Sequence, residues 1–201
     1  VAEKSGQIDD LGLWVLEETC KNITQHLQQQ PVKFAINLSP IQLSDPCIVD
    51  NIHNIVSRYR IPPQTIEFEI TESCIIHNMD DCLRVATALN EFGFSLSIDD
   101  FGTGYSSFSR LIDLPIARLK LDRQLIRDIT VRNHAATIVK GMINIAHDIG
   151  IRVVAEGVEC EQQATLLQSL DCDYLQGFYV GEPSKTAAPT YKCSEGSYSV
   201  A

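Results

Sequence analysis

Hydrophobic and polar residues alternate in six short segments of the chain, and each segment closes on a polar side chain. In the first segment, Phe34, Ile36 and Leu38 would share one face of a strand and Asn37 the other, because alternate strand residues point the same way. The other segments close in the same manner on Glu69, Asp99, Lys120, Glu156 and Gln176. The pattern therefore predicts six strands, each with one apolar face.

Segments with helical spacing separate these strands. We predict strands over 33–38, 65–71, 95–99, 117–122, 152–156 and 174–179. We predict helices over 11–29, 80–93, 133–149 and 161–170, and a short helix after residue 107. A further helix is predicted to be capped at Ser44 or Asp45, to have Pro46 at its first position and to end near residue 60. Strict alternation with short connections predicts an α/β fold with a parallel sheet. The polar strand faces suit the mouth of a barrel better than a flat sheet.

The polar side chains should converge, because the carboxyl ends of parallel strands meet at one edge, where such enzymes place their chemistry. Asn37, Glu69, Asp99 and Glu156 there predict a divalent-metal site, and Lys120 a base or an anion clamp. Oxygen ligands without histidine or cysteine favour Mg²⁺ or Mn²⁺ over Zn²⁺. Two such ions about 3.5–4 Å apart would suit the attack of water on a phosphodiester.

Two features have alternative interpretations. Asp99 and Asp100 are adjacent, so they serve one site only if the chain bends, which Gly102 and Gly104 would permit. The alternative is a turn in which the Asp100 side chain binds the loop backbone.

Lys120 is costly to bury between two leucines unless carboxylates or an anionic ligand lie nearby. Metal ions close to it could lower its pKa and make it a general base. The alternative is a structural salt bridge to Glu156 or Asp122.

Composition narrows the class of protein. The chain has 201 residues, 44% of them hydrophobic, and a net charge of −10. The length predicts one domain with a substantial core. The charge excludes a broad DNA-binding surface, and no apolar run is long enough to cross a membrane. Seven irregularly spaced cysteines favour reduced thiols and a cytoplasmic location. We also expect no direct membrane contact by this chain.

Six motifs occur together in the order and at the spacing of one family. They are Asn37-Leu38-Ser39 with Gln42, Glu69-Ile70-Thr71-Glu72, Asp99 to Ser107, Lys120-Leu121-Asp122-Arg123, Glu156-Gly157-Val158-Glu159 and Gln176-Gly177. In these motifs the chain resembles the EAL domain family over residues 1–183. Residues 184–201, rich in small and polar residues, are predicted to be a loosely ordered tail.

The resemblance implies a TIM-like (β/α)8 barrel that hydrolyses the bacterial second messenger cyclic di-GMP to linear pGpG with two Mg²⁺ or Mn²⁺ ions. It implies metal ligands at Asn37, Glu69, Asp99, Asp100 and Glu156. It implies catalytic roles for Lys120, Glu156, Asp99 and Gln176, with Lys120 positioning or deprotonating the attacking water. It implies substrate-binding or loop-holding roles for Glu72, Gly102, Gly104, Asp122, Arg123 and Glu159.

The chain departs from the family in one respect, because it contains no Glu-Ala-Leu tripeptide. We expect that motif upstream of residue 1, which leaves an incomplete barrel of about six strands without the first two strands and first helix. The missing glutamate is a metal ligand in the family, so we expect this chain alone to be weakly active or inactive.

Two kinds of function and several partners follow from the resemblance. A cyclic di-GMP phosphodiesterase is favoured over a non-catalytic cyclic di-GMP sensor or protein-interaction module, because a sensor need not keep Lys120 and the acids around it. The resemblance further implies a homodimer through the domain. It also implies an upstream sensory or GGDEF-type module in a parent protein that could be anchored in a membrane elsewhere.

Overall fold

The computed structural model describes residues 2–26, 33–104 and 108–182 of the chain. It divides into two units, Val1–Ser97 with Ser109–Ile116, and Ile98–Phe108 with Ala117–Ala201. The predicted tail at 184–201 and the loop residues Tyr105, Ser106 and Ser107 lie outside the described residues. Within the described ranges, no helix has the length and apolar character needed to cross a membrane.

The first unit begins with two helices and continues with alternating strands and helices. In chain order the elements are α1 (Ala2–Ser5), α2 (Ile8–His26), β1 (Phe34–Asn37), α3 (Pro40–Ser44), α4 (Ile48–Arg58), β2 (Ile66–Thr71), α5 (Glu72–His77), α6 (Met79–Glu91) and the start of β3 (Ser95–Phe101). The strands β1 and β2 pair in parallel with Asn37 opposite Glu69. The Ser97 hydroxyl of β3 donates to the Phe68 carbonyl of β2 at 3.4 Å.

The second unit carries the end of β3 and the later strands. Its other elements are β4 (Arg118–Leu121), α7 (Arg123–Arg127), α8 (Asn133–Asp148), β5 (Arg152–Ala155), α9 (Glu161–Ser169) and β6 (Tyr174–Leu175). β5 pairs in parallel with β4 and with β6. The predicted parallel pairing of strands is therefore present within each unit.

The apolar strand faces form the core of each unit, as the alternation predicts. In the first unit Phe68 and Ile70 of β2 are almost completely buried, and in the second Leu119, Leu121 and Val153 are. Burying one such side chain contributes about 1.5–3 kcal/mol. This packing fixes which strand face carries the polar residues.

The prediction that Pro46 opens a helix is wrong. The helix α4 begins two residues later, at Ile48. The Asp45 carboxylate instead accepts the backbone N–H of Cys47 at 2.8 Å, which closes a turn ahead of the helix. Among the described residues, four short helices, α1, α3, α5 and α7, were not predicted.

The last strand is shorter than predicted, since β6 ends at Leu175 rather than at residue 179. Beyond it, Gln176 O accepts the N–H of Val158 and Tyr179 N donates to Val158 O, both at 3.0 Å. Gly177 has φ +153°, and a Cβ atom there would overlap the Val158 backbone. The close approach of two backbone segments therefore ends the strand and requires glycine at this position.

Candidate active site

Three carboxylates lie together in the second unit. Asp99, Asp100 and Glu156 each present an oxygen atom within 4.8 Å of the others. Asp99 and Asp100 are among the last three residues of the strand β3, and Glu156 directly follows β5. Like charges this close repel one another, so the cluster is suited to bind a cation.

A bend at Asp100 allows two consecutive residues to serve one site. The φ angle of Asp100 is +55°, a left-handed conformation that is uncommon outside glycine. The Asp99 carboxylate accepts the Asp100 N–H at 3.0 Å, and the Thr103 hydroxyl donates to the Asp100 carbonyl at 3.0 Å. The bend that the sequence required is thus present. It begins at Asp100 itself, ahead of Gly102, which we had expected to provide it.

Lys120 is nearly buried and lies between two of the acids. Its Nζ atom is 3.0 Å from Asp99 Oδ1 and 2.8 Å from Glu156 Oε1, and its side chain is 6% exposed. The predicted salt bridge to Glu156 is therefore present, together with one to Asp99. Because one ammonium faces three carboxylates, the cluster retains excess negative charge.

The electrostatics of Asp100 reflect this excess. Its burial, the negative charges of Asp99 and Asp122 and a hydrogen bond with the Asp122 carboxyl raise the pKa of Asp100, while Lys120 acts in the opposite direction. A carboxyl group whose pKa is raised in this way binds a proton more readily than a free carboxyl group does. Proton and metal ion would compete for the same oxygen atoms.

A cavity of about 560 Å³ opens beside the cluster. It is lined by Asp100, Thr103, Asp122, Arg123, Gln124, Glu156, Gly157, Gln176 and Gly177. Asp122 also caps α7, accepting the Gln124 N–H at 2.7 Å. Five predicted site residues therefore share one cavity. Lys120 contacts one of them, Glu156, and also contacts Asp99.

Sequence reasoning missed four residues of the lining, namely Thr103, Gln124, Gly157 and Gly177. The two glycines had a signal, because each directly follows a polar strand end. Gly157 packs so closely on Arg123 that a Cβ atom would overlap the Cβ atom of that arginine. Thr103 lies within the motif Asp99 to Ser107 but was given no role, and Gln124, in the first turn of α7, had no such signal.

The described lining of this cavity does not include the remaining predicted residues. Asn37 and Glu69 are neighbours in register in the first unit, with Glu69 buried. Glu72 is buried at the first position of α5. Its predicted contact with the loop at 101–107 involves residues outside the described ranges.

Gly102 has φ +99° and lies against the Leu125 side chain. The Glu159 side chain is exposed and is absent from the described cavity lining. Gly104, before the gap, keeps its predicted role as a prediction.

The donor set of the cluster fits a hard divalent cation. The atoms available from Asp99, Asp100 and Glu156 are all carboxylate oxygens, which suit Mg²⁺, Mn²⁺ or Ca²⁺ better than metals that prefer nitrogen or sulfur. A bound cation would also relieve the repulsion among the three acids. These residues are therefore a candidate metal site.

The chain is similar to a defined family along most of its length. The family model described as EAL domain matches residues 1–183. The signaling protein YkoW of Bacillus subtilis is 40% identical over 184 residues, which are 91% of this chain and 23% of that protein. The bifunctional diguanylate cyclase/cyclic di-GMP phosphodiesterase MucR of Pseudomonas aeruginosa is 37% identical over 185 residues, 91% of this chain and 27% of that protein.

A solved structure agrees with these matches. The structure described as "PaMucR Phosphodiesterase, c-di-GMP complex" superposes with a TM-score of 0.85 at 38% identity, over 90% of this chain and 74% of that chain. The predicted α/β fold is confirmed by this likeness. The chain spans about a quarter of the length of the curated relatives that it matches first.

Proposed function

The chain belongs to the EAL domain family, and from this premise we propose that it acts in the metal-dependent hydrolysis of cyclic di-GMP to linear pGpG. The observation that carries the proposal is the position of Lys120, held between Asp99 and Glu156 beside an open cavity. The two ion pairs offset the cost of burying the ammonium, and a buried lysine among acids that border an open cavity is a candidate functional group.

The acids and Lys120 divide the chemical tasks. Asp99, Asp100 and Glu156 would hold a divalent cation, for which we propose Mg²⁺ or Mn²⁺ and a pair of ions. When bound, the cation would polarise the phosphodiester and make water more acidic. Lys120 contacts two of these acids and would position the attacking water or, once neutral, take its proton.

Other residues of the cavity would bind substrate. Arg123 is exposed and borders the cavity with Asp122 and Gln176. Its guanidinium would pair with a phosphate of cyclic di-GMP, because a planar fork of donors fits phosphate oxygens. Gln176 would donate to the water or the phosphate next to Lys120. Ligand roles for Asn37 and Glu69 are predicted by the resemblance.

The partners we propose are a second copy of the domain and a further module in the same polypeptide. The name of MucR supports the second, since that protein combines a diguanylate cyclase and a phosphodiesterase and the chain corresponds to 27% of it.

Product analysis with a matched pair of variants tests the proposed function. The chain and the full-length product of its gene are incubated with cyclic di-GMP and Mg²⁺ or Mn²⁺, and pGpG is followed by chromatography. Glu156→Gln should abolish turnover, because it removes one of the three clustered carboxylates. Glu161→Gln, at the exposed start of α9, should leave turnover unchanged.

The same experiment separates the two predicted functions. Metal-dependent pGpG formation by the wild-type full-length product supports the enzyme. Binding of cyclic di-GMP without product would overturn the proposal in favour of a sensor. We expect the 201-residue chain alone to be weakly active or inactive, because it contains no Glu-Ala-Leu motif.

A further inference from the structure

One buried glutamine joins three segments of the second unit. Gln163 is 5% exposed and is the third residue of α9. Its Oε1 atom accepts the backbone N–H groups of Glu159 at 2.7 Å and Cys160 at 3.2 Å. Its Nε2 atom donates to the carbonyls of Ile126 and Arg127, both at 3.3 Å. All four hydrogen bonds that an amide side chain can make to such partners are therefore formed.

The accepting side of Gln163 fixes the segment that carries Glu156. That segment, residues 156–160, is neither helix nor strand, so hydrogen bonds from its surroundings determine its path. Glu156 N donates to Leu121 O at 3.0 Å at one end of the segment. Gln163 holds the other end through two consecutive N–H groups.

The donating side fixes the last turn of α7. A helix leaves its final carbonyls without partners inside the helix, and Gln163 satisfies those of Ile126 and Arg127. The first turn of α7 borders the cavity through Arg123, whose Cβ atom packs on Gly157. Gln163 therefore sets the distance between α7 and the segment that begins with Glu156.

We propose that Gln163 is a positioning residue for the metal site: it holds Glu156 where that acid meets Asp99, Asp100 and Lys120. The residue touches neither the cavity lining described above nor the acids, so it acts through the segment 156–160. This inference rests on the proposed function for its metal, and it adds a residue that the proposed chemistry does not itself require.

The test uses Gln163→Met and the matched control Gln162→Met. Both substitutions keep side-chain length and helix propensity, but Gln162 is exposed and Gln163 is buried. Mn²⁺ affinity is measured by calorimetry on the folded full-length protein, amide exchange of Glu159 and Cys160 by NMR, and kcat and KM by pGpG formation.

Relative to Gln162→Met, we expect Gln163→Met to weaken Mn²⁺ binding about tenfold to a hundredfold, the usual effect of losing a group that supports a metal ligand. Exchange at Glu159 and Cys160 should accelerate while exchange within β5 stays unchanged. Saturating Mn²⁺ should restore part of kcat, and the unchanged exchange within β5 distinguishes this local effect from general destabilisation. If Gln163→Met does not fold, Gln163→Glu, which keeps the acceptors and loses the donors, is judged by the same criteria.

Equal Mn²⁺ affinity in the two methionine variants would overturn the positioning role, whatever the exchange rates. A wild-type protein that binds Mn²⁺ but forms no pGpG would overturn the proposed function and leave this inference standing. A wild-type protein that does not bind Mn²⁺ would overturn both.

Discussion

At the scale of single residues, Asp100 combines a strained backbone with an unfavourable charge. Its φ angle is +55°, and the acids around it raise its pKa. Residues in sparsely populated backbone conformations persist where the surrounding structure enforces them, and they concentrate at functional sites. At Asp100 the conformation has a clear effect, since it lets two consecutive acids face one cation.

Replacing Asp100 should therefore stabilise the metal-free protein. Because its pKa is raised in the folded state, the stability tied to its proton is present below the unfolded-state pKa and is lost as the pH rises through the folded-state pKa. At pH 7 the carboxylate is thus unfavourable. Asp100→Asn should raise the free energy of unfolding in EDTA by less than about 1 kcal/mol, given the exposure of the group. Asparagine also tolerates the left-handed conformation.

Urea unfolding with EDTA and with Mn²⁺ checks this prediction. Ligand binding to the native state adds stability by mass action, so Mn²⁺ should stabilise the wild type more than Asp100→Asn. The exposed Asp113, changed to asparagine, serves as the control and should behave like the wild type. An Asp100→Asn protein that is less stable in EDTA, or that gains as much from Mn²⁺, would contradict the account of the cluster.

Sequence reasoning at the residue scale identified the acids but not their geometry. The alternation around Asp99 and Lys120 was sufficient to place both on the polar strand face, and they form an ion pair. The bend at Asp100 could not be located, because the tendency of an aspartate to adopt a left-handed conformation is a weaker local signal than the glycines Gly102 and Gly104 nearby. The role of Gln163 had no local signal in the sequence, since it depends on the approach of α7 to α9.

At the scale of elements, the long helices and most strands followed from periodicity, and the short helices did not. Five or six residues are too few to show a helical period, as in α3 and α5. A capping box did precede α3, where the Ser39 hydroxyl oxygen accepts the N–H of Gln42 and Gln42 Oε1 accepts the N–H of Ser39. The end of β6 was misplaced, because the approach of Val158 to Gly177 is not local in sequence.

Two glycine substitutions should have opposite effects on stability. Gly177→Ala would drive a Cβ atom into the Val158 backbone and should destabilise the protein by about 1–3 kcal/mol, as strained backbone positions do. It should also reduce turnover, since Gln176 is displaced. Gly141 lies in α8, where an added Cβ atom would meet no neighbouring atom within 4 Å. Gly141→Ala should therefore stabilise that helix by about 0.5–1 kcal/mol. Thermal unfolding of both variants checks the pair, and a stabilising Gly177→Ala would refute the close approach.

At the scale of the whole molecule, charge and family point to the same conclusion. A net charge of −10 disfavours nucleic-acid polymers as ligands, but it does not prevent binding of a small phosphorylated molecule where a cation reverses the local field. Cyclic di-GMP, the substrate that we propose, is a molecule of this kind. The central claim is that the acids around Lys120 support metal-dependent hydrolysis.

The most direct test measures pGpG formation from cyclic di-GMP by the full-length product of the gene, with Mn²⁺ or with EDTA. Wild type is compared with Lys120→Met and with Lys140→Met, which alters an exposed lysine of α8. The account predicts product from wild type and Lys140→Met with Mn²⁺ only, and none from a folded Lys120→Met protein that still binds cyclic di-GMP. Turnover by Lys120→Met at the wild-type rate, or turnover by wild type in EDTA, would contradict it.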